Sequence, residues 1–368
     1  MDRRAFLSSA ALAAAVGAAA GAQSGAQAGV GAQPAVRHRR IATEEAWTIP
    51  EHLDALAALA GSNWRNLDVE VINPAGSRAT EALWVNMLDT DRRLAEMDRL
   101  GIDMHVLSLT SPGVQLFKPD RAAALATLAN DRLAEIVRSA PHRFGGLASF
   151  APQDPAGAAK EMERAVQQLG LNGFIVNSHT DNEYLDDPKF WPILEAAEAL
   201  DRPIYIHPRN PSDPMADLFR DKRLQSAIWG FAIETGTHAM RLIVSEVFDR
   251  FPKLQIVLGH MGENIPFYLW RADYWFERRR SAYKATLKPS EIMKRNFMIT
   301  TSGVEHDPAL RYSIEVLGAD RIMWAIDYPY QPMPPSVAFM DGARIPEADR
   351  AAIYHRNAER AFHLPAAT

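Results

Sequence analysis

Five places in this chain of 368 residues set groups capable of acid–base or metal chemistry at the ends of short apolar runs. They are Glu44-Glu45, Asn177-Ser178-His179-Thr180, His207-Pro208, His260-Met261-Gly262-Glu263, and Asp327. Glu, His and Asp after the first, fifth and eighth runs offer oxygen and nitrogen donors from rigid elements. A divalent ion needs that arrangement when its other positions are to stay open for a substrate. Three protein ligands with vacant positions make a catalytic centre rather than a structural one. With no cysteine in the chain, disulfides, thiolate ligands and a cysteine nucleophile are excluded. A glutamate of the Glu44-Glu45 pair, His207 and Asp327 are therefore the candidate metal ligands.

Around this set stand residues with two readings each. His260 follows its run directly, with Gly259 and Gly262 beside it allowing close backbone approach. Glu263 either orients His260 or caps the following helix. His238, in Glu234-Thr-Gly-Thr-His238, is a site residue or a histidine satisfied on a helix face. Arg78 and Arg271 suit the bidentate clamping of a substrate carboxylate, although the same spacing fits surface ion pairs.

The elements that must position these groups come from the hydrophobic pattern. Eight short apolar runs alternate with amphipathic stretches: 40–43, 104–109, 144–150, 173–176, 203–206, 254–258, 297–301 and 322–326. Helices are predicted between them, for example over 121–139 and 155–169. Eight strand–helix units predict an α/β fold, a TIM-like (β/α)8 barrel with its chemistry at the C-terminal strand ends; a doubly wound open sheet is the alternative. Residues 61–77 and 209–223 are read as irregular insertions that shape a pocket. No Gly-rich phosphate loop and no Gly-x-Ser-x-Gly elbow is present, and no linker divides the chain, so a single catalytic domain over 39–364 is expected. A hydrophobic content of 47% suits a large core, and a net charge of −5 without a long basic run argues against nucleic acid as a partner.

Seven segments in order, Ile41-Ala-Thr-Glu-Glu45, Leu109-Thr-Ser-Pro-Gly-Val-Gln115, Val176-Asn-Ser-His-Thr180, Tyr205-Ile-His-Pro208, Glu234-Thr-Gly-Thr-His238, Gly259-His-Met-Gly-Glu263 and Ile326-Asp-Tyr-Pro-Tyr-Gln331, resemble the amidohydrolase-related metal-dependent decarboxylases of aromatic acids. That family includes γ-resorcylate, 2,3-dihydroxybenzoate and 5-carboxyvanillate decarboxylases, and the likeness leans to the last type. The resemblance implies a metal-dependent amidohydrolase-type barrel in which Glu44, His207 and Asp327 hold one divalent ion, manganese or zinc. It implies that His260 contacts the phenolic oxygen of a small aromatic acid, that Arg78, Arg271 and Tyr330 bind its carboxylate or ring substituents, and that the enzyme is a homodimer or homotetramer. The resorcylate type carries Glu-x-His at the first ligand, whereas Ala46 stands here, which favours a three-ligand, manganese-preferring site. Pro208-Arg-Asn-Pro211, by contrast, is more like the resorcylate type. Ring-carbon protonation by Asp327 followed by loss of carbon dioxide is the expected reaction. Hydrolysis of an ester, lactone or amide by the same groups is the alternative, with Asp327 as base.

Residues 1–28 resemble a twin-arginine export signal: Arg3-Arg4-Ala5-Phe6-Leu7, an Ala-rich stretch, and small-residue cleavage candidates at Ala22 or Ala28. The expected location is the periplasm, with no membrane span left after signal removal. Changing Arg3 and Arg4 together to Lys should retain the protein in the cytoplasm. Unaltered periplasmic delivery in cell fractionation would overturn this reading.

Overall fold

Each apolar run becomes a strand in the computed structural model, which describes residues 37–60, 62, 64–71 and 78–366. The strands are β1 (Ile41–Trp47), β2 (Met104–Leu109), β3 (Phe144–Ser149), β4 (Gly173–Asn177), β5 (Ile204–His207), β6 (Ile256–Leu258), β7 (Phe297–Thr300) and β8 (Ile322–Met323). All pairs are parallel and the order runs β1 to β8 without reversal, which is the (β/α)8 arrangement and not the doubly wound one. Backbone bonds join the two ends into a nearly closed barrel: Thr43 N to Trp324 O at 3.1 Å, Asp327 N to Glu44 O at 3.1 Å, and Ala46 N to Tyr328 O at 2.8 Å.

The barrel interior is filled by alternate residues of successive strands, including Ile41, Val106, Leu147, Ile175, Tyr205, Val257, Met298 and Met323. Ala358, Phe362 and Leu364 of the C-terminal segment pack onto the same cluster. A second, larger core lies between the strands and the helices, built from residues of opposite parity such as Ala42, Ile206, Leu258, Ile299 and Trp324. Among the helices, Pro119–Ser139 and Pro155–Gln167 stand close to the predicted spans, and both insertions contain a short helix, Leu67–Val71 and Asp213–Arg220. No helix among the described residues is long and apolar enough to cross a membrane. The segment read as an export signal lies outside the described residues.

The two strands that flank the closure differ from expectation in opposite ways. β1 runs four residues past the predicted end at Thr43, because Glu45, Ala46 and Trp47 keep their register with Leu107, Ser108 and Leu109. β8 stops at Met323 rather than Ile326. Beyond it, side chains replace ladder partners: Thr43 Oγ1 donates to Trp324 O at 2.9 Å, Ala325 N to Thr301 Oγ1 at 3.1 Å, and Ile326 N to a Glu45 carboxylate oxygen at 3.0 Å. Asp327 itself has φ 74°, a left-handed conformation that no ladder can continue.

Candidate metal centre

The site begins with an irregularity in β1. Ala42 pairs with His105 but Glu45 with Leu107, so β1 carries one residue more than β2 over this interval. Such a bulge reverses the in–out alternation of the strand. Ile41 points into the barrel, and an even count would turn Glu44 toward the helices. The extra residue turns it inward, where it meets Tyr205 of β5 and Thr300 of β7.

Once inside, the two carboxylate oxygens of Glu44 have unequal surroundings. Oε2 accepts from the hydroxyls of Tyr205 and Ser302 and from Thr300 Oγ1 at 3.0 Å. Oε1 is buried and has no hydrogen-bond partner. It faces His207 Nε2 at 3.5 Å and His260 Nε2 at 3.8 Å. Ligand atoms from Glu44, His207 and Asp327 all lie within 4.8 Å of one another. A buried acceptor left unsatisfied costs about 1–3 kcal/mol, more when charged, so this pocket is built for a cation. The donor set of two carboxylates and an imidazole fits a divalent ion.

The histidines are oriented from behind. His207 Nδ1 lies 2.8 Å from the Pro208 carbonyl, which can only accept, so Nδ1 carries a hydrogen and Nε2 is turned to Glu44. His260 Nδ1 is 2.7 Å from Glu263 Oε1, and its Nε2 lies 3.9 Å from Asp327 Oδ2. Glu263 therefore orients His260, and the next helix, Ile265–Arg278, is flanked by Asn264 instead. The turn from His260 to Asn264 has positive φ at every residue (50°, 55°, 78°, 51°, 66°), so it is left-handed. That conformation costs roughly 1–2 kcal/mol per non-glycine residue and aims the imidazole at the pocket. Gly259 has to be glycine for another reason: a Cβ there would sit 2.8 Å from Glu44 Oε2.

Electrostatics follow from this crowding. Burial raises the Glu44 carboxyl, but His260, His207 and the Ser302 and Tyr205 hydroxyls outweigh it and hold the group below its ordinary value. Burial raises Asp327, the charge of Glu44 adds to it, and the bond to His260 only partly offsets both. Burial would lower His260, yet Glu263, Glu44 and Asp327 together lift it well above the usual imidazole range.

The other expected site residues are distributed differently. Tyr330 is close by, its hydroxyl 2.6 Å from Thr110 Oγ1, with the residue 42% exposed. Arg78 opens the helix Arg78–Leu88, and its side chain lies outside the described residues. Arg271 is exposed and lines a groove of about 820 Å³ with Trp229, Phe267, Tyr268 and Trp275, a groove whose lining includes none of the triad. His238 is enclosed within the protein. It is fully buried, its Nδ1 is 3.3 Å from Ser178 Oγ, and its Nε2 accepts from Leu185 N at 3.1 Å. Both of its nitrogens are committed to partners within the protein.

His238 instead belongs to a buried network that ties the loop after β4 to the loop after β5. Glu234 accepts from Ser178 Oγ at 3.1 Å, Tyr184 OH at 3.2 Å and Ser212 N at 3.1 Å. Arg209, fully buried, makes a two-pronged pair with Asp68 of the first insertion and donates to His179 O, while Asn210 also bonds Asp68. Pro208-Arg-Asn-Pro211 is thus a clamp on Asp68. The residues that sequence reasoning passed over are the hydroxyl donors Tyr205, Thr300 and Ser302. Their signal was parity: Tyr205 stands two before His207, Thr300 lies on the inward phase of β7, and Ser302 stands two residues beyond it.

Comparison with known proteins agrees with this architecture. The amidohydrolase family pattern matches residues 47–364, and the chain belongs to that family. It is 52% identical to the crystal structure of 5-carboxyvanillate decarboxylase from Sphingomonas paucimobilis, with a TM-score of 0.87 and coverage of 89% of this chain and 100% of the other. Gamma-resorcylate decarboxylase from Polaromonas sp. is 40% identical over 285 residues, 74% of this chain and 87% of the relative. The 5-carboxyvanillate decarboxylase from Novosphingobium aromaticivorans, solved with manganese and 4-hydroxy-3-methoxy-5-nitrobenzoic acid, is 39% identical with a TM-score of 0.85, covering 89% and 96% of the two chains.

Two outcomes are expected. Purified protein should contain about one divalent ion per chain, and His207→Ala should lose most of it; full occupancy by elemental analysis would remove His207 from the ligand set. Burial, against the bonds from Ser212, Ser178 and Tyr184, lifts Glu234 from 4.5 to about 7. A carboxyl raised by folding stabilises the protein fully below its unfolded value and loses that contribution as pH rises through its folded value. Between about pH 4.5 and 7, wild type should therefore lose on the order of 3 kcal/mol relative to Glu234→Gln, read from urea midpoints. Parallel pH profiles for the two proteins would refute this.

Proposed function

We propose that this chain is a metal-dependent, non-oxidative decarboxylase of a hydroxylated aromatic carboxylic acid, acting from one barrel domain over 39–364. The observation that carries the reading is the buried, unpartnered Glu44 Oε1 in a pocket shared with His207 and Asp327. The names of the relatives, 5-carboxyvanillate and gamma-resorcylate decarboxylases, support the substrate class. Manganese in solved relatives, with a donor set rich in carboxylate, favours that ion, zinc being the alternative. Once bound, the ion supplies Lewis-acid polarisation of the substrate's carboxylate and neighbouring phenolic oxygen and holds them in one orientation.

The chain's own residues do the rest. His260, pinned by Glu263 and lifted toward its protonated form, hydrogen-bonds the phenolic oxygen. Asp327, whose carboxyl enters the pocket, delivers a proton to the ring carbon that bears the carboxylate. Protonation first avoids an aryl carbanion. The carbon–carbon bond then breaks, carbon dioxide leaves, and its electron pair restores the aromatic ring. Tyr330 and Arg78 hold the carboxylate or ring substituents, joined by an Arg271 that comes from a neighbouring subunit. Ala46 in place of a fourth ligand, together with the 52% identity to a 5-carboxyvanillate decarboxylase, favours a substrate of that type over a resorcylate.

Two further parts belong to this reading. The enzyme is a homodimer or homotetramer: helix Ile265–Arg278 leaves Phe267, Tyr268 and Trp270 exposed beside Arg271, an apolar surface of the kind subunit contacts cover. The enzyme works in the periplasm, a reading supported by the Arg3-Arg4 signal.

The test rests on Asp327. Product formed in heavy water should carry deuterium at the carbon that lost its carboxylate, an outcome hydrolysis cannot give. Asp327→Asn should keep part of its metal while turnover falls about a hundredfold or more, the scale of a lost general acid. A metal-replete Asp327→Asn enzyme with near wild-type turnover would move the proton donor elsewhere.

A further inference from the structure

The bulge in β1 that turns Glu44 inward also leaves its neighbour Glu45 buried at the seam where the barrel closes. Glu45 is fully buried. Oε1 accepts from Ile326 N at 3.0 Å and Oε2 from Tyr328 N at 3.2 Å. These two amides flank Asp327, the residue whose own amide donates to Glu44 O and whose φ is 74°. A non-glycine residue in that conformation persists only where its surroundings hold it. A peptide that leaves the strand ladder needs other acceptors for its amides. Glu45 supplies both of them, on either side of the ligand.

Beside Glu45 stands a second set of buried groups. Arg93 is fully buried, donates to Ala46 O at 2.6 Å, and lies 4.7 Å over the ring of Tyr328. His105 Nδ1 is 3.7 Å from Glu45 Oε2 and 3.5 Å from Arg93 NH1. Arg93 is thus anchored on both sides of the seam, at Ala46 of β1 and at Tyr328 after Asp327.

We infer that Glu45 is a positioning residue for Asp327: by accepting from the amides on both sides it fixes the direction in which the Asp327 carboxyl enters the metal pocket. This rests on the reading of Glu44, His207 and Asp327 as a metal centre. Glu45 touches neither metal nor substrate and acts through Asp327 alone. Groups that orient a ligand from behind typically contribute tenfold to a hundredfold to affinity or rate.

The experiment uses Glu45→Gln in the full chain. The amide keeps the shape but turns an NH2 toward one of the two amide donors. Manganese affinity, measured by chelator competition, should fall about tenfold to a hundredfold, with kcat falling and KM nearly constant. In an Asp327→Asn background the same change should add less than about twofold, since residues acting as a unit are non-additive. Wild-type manganese affinity in folded Glu45→Gln, or an equal loss in both backgrounds, overturns the inference. If Glu45→Gln fails to fold, amide hydrogen exchange on the wild-type enzyme decides. Slow exchange across 326–328, matching β1, supports the inference, and fast exchange there with the strands still protected overturns it. A wild type that binds manganese but releases no carbon dioxide would count against the proposed reaction and leave the role of Glu45 to the affinity measurement.

Discussion

Two carboxyl groups, Glu44 and Asp327, are brought into one buried space by the closure of the barrel between its first strand and the segment after its last. Like charges at such range are held apart in energy by several kcal/mol unless a proton or a cation lies between them. His260, His207 and the Ser302 and Tyr205 hydroxyls hold Glu44 below its ordinary value against burial, while burial first and the charge of Glu44 after it raise Asp327. The histidines complete the balance. His207 and His260 each turn one nitrogen toward Glu44, and each has its other nitrogen held, by Pro208 O and by Glu263.

The fold expends local order to reach this arrangement. β1 carries an extra residue, β8 is cut to two residues, and the turn from His260 to Asn264 runs left-handed. Strained backbone of this kind is stable only when neighbours over-determine it. Here they do: Thr43, Glu45 and Thr301 satisfy the backbone after β8, and Ser302 accepts from His260 N while also donating to Glu44. The same side chains therefore serve both the seam of the barrel and the aim of the ligands.

The loops at the C-terminal end of the barrel are fastened separately. Asp68 of the first insertion is clamped by Arg209 and Asn210, and Glu234 with His238 binds the turn after β4 to the loop after β5. This matters for His207, which sits immediately before the clamp. A ligand at the end of a short strand is only as well placed as the loop that follows it.

Much of this was determined by the sequence alone. The eight apolar runs, separated by helix-length amphipathic stretches, marked the strands, since burial on both faces demands continuous hydrophobic residues. The absence of cysteine and the acids and histidines at run ends marked the Glu44-Glu45 pair, His207 and Asp327, because each stands at the end of its apolar run. What tertiary structure decided were matters of parity and partnership. Whether Glu44 or Glu45 faces the pocket depends on one bulged residue, visible only in the pairing of β1 with β2. His238 lies in a motif that resembles a site, yet Ser178 and Leu185 from a distant loop use both its nitrogens. The hydroxyls that hold Glu44 come from β5, from β7 and from just beyond β7, about 161 to 258 positions away in the chain. A strand's own pattern determines that a residue is buried, but which group meets it there is settled by the closure of the barrel.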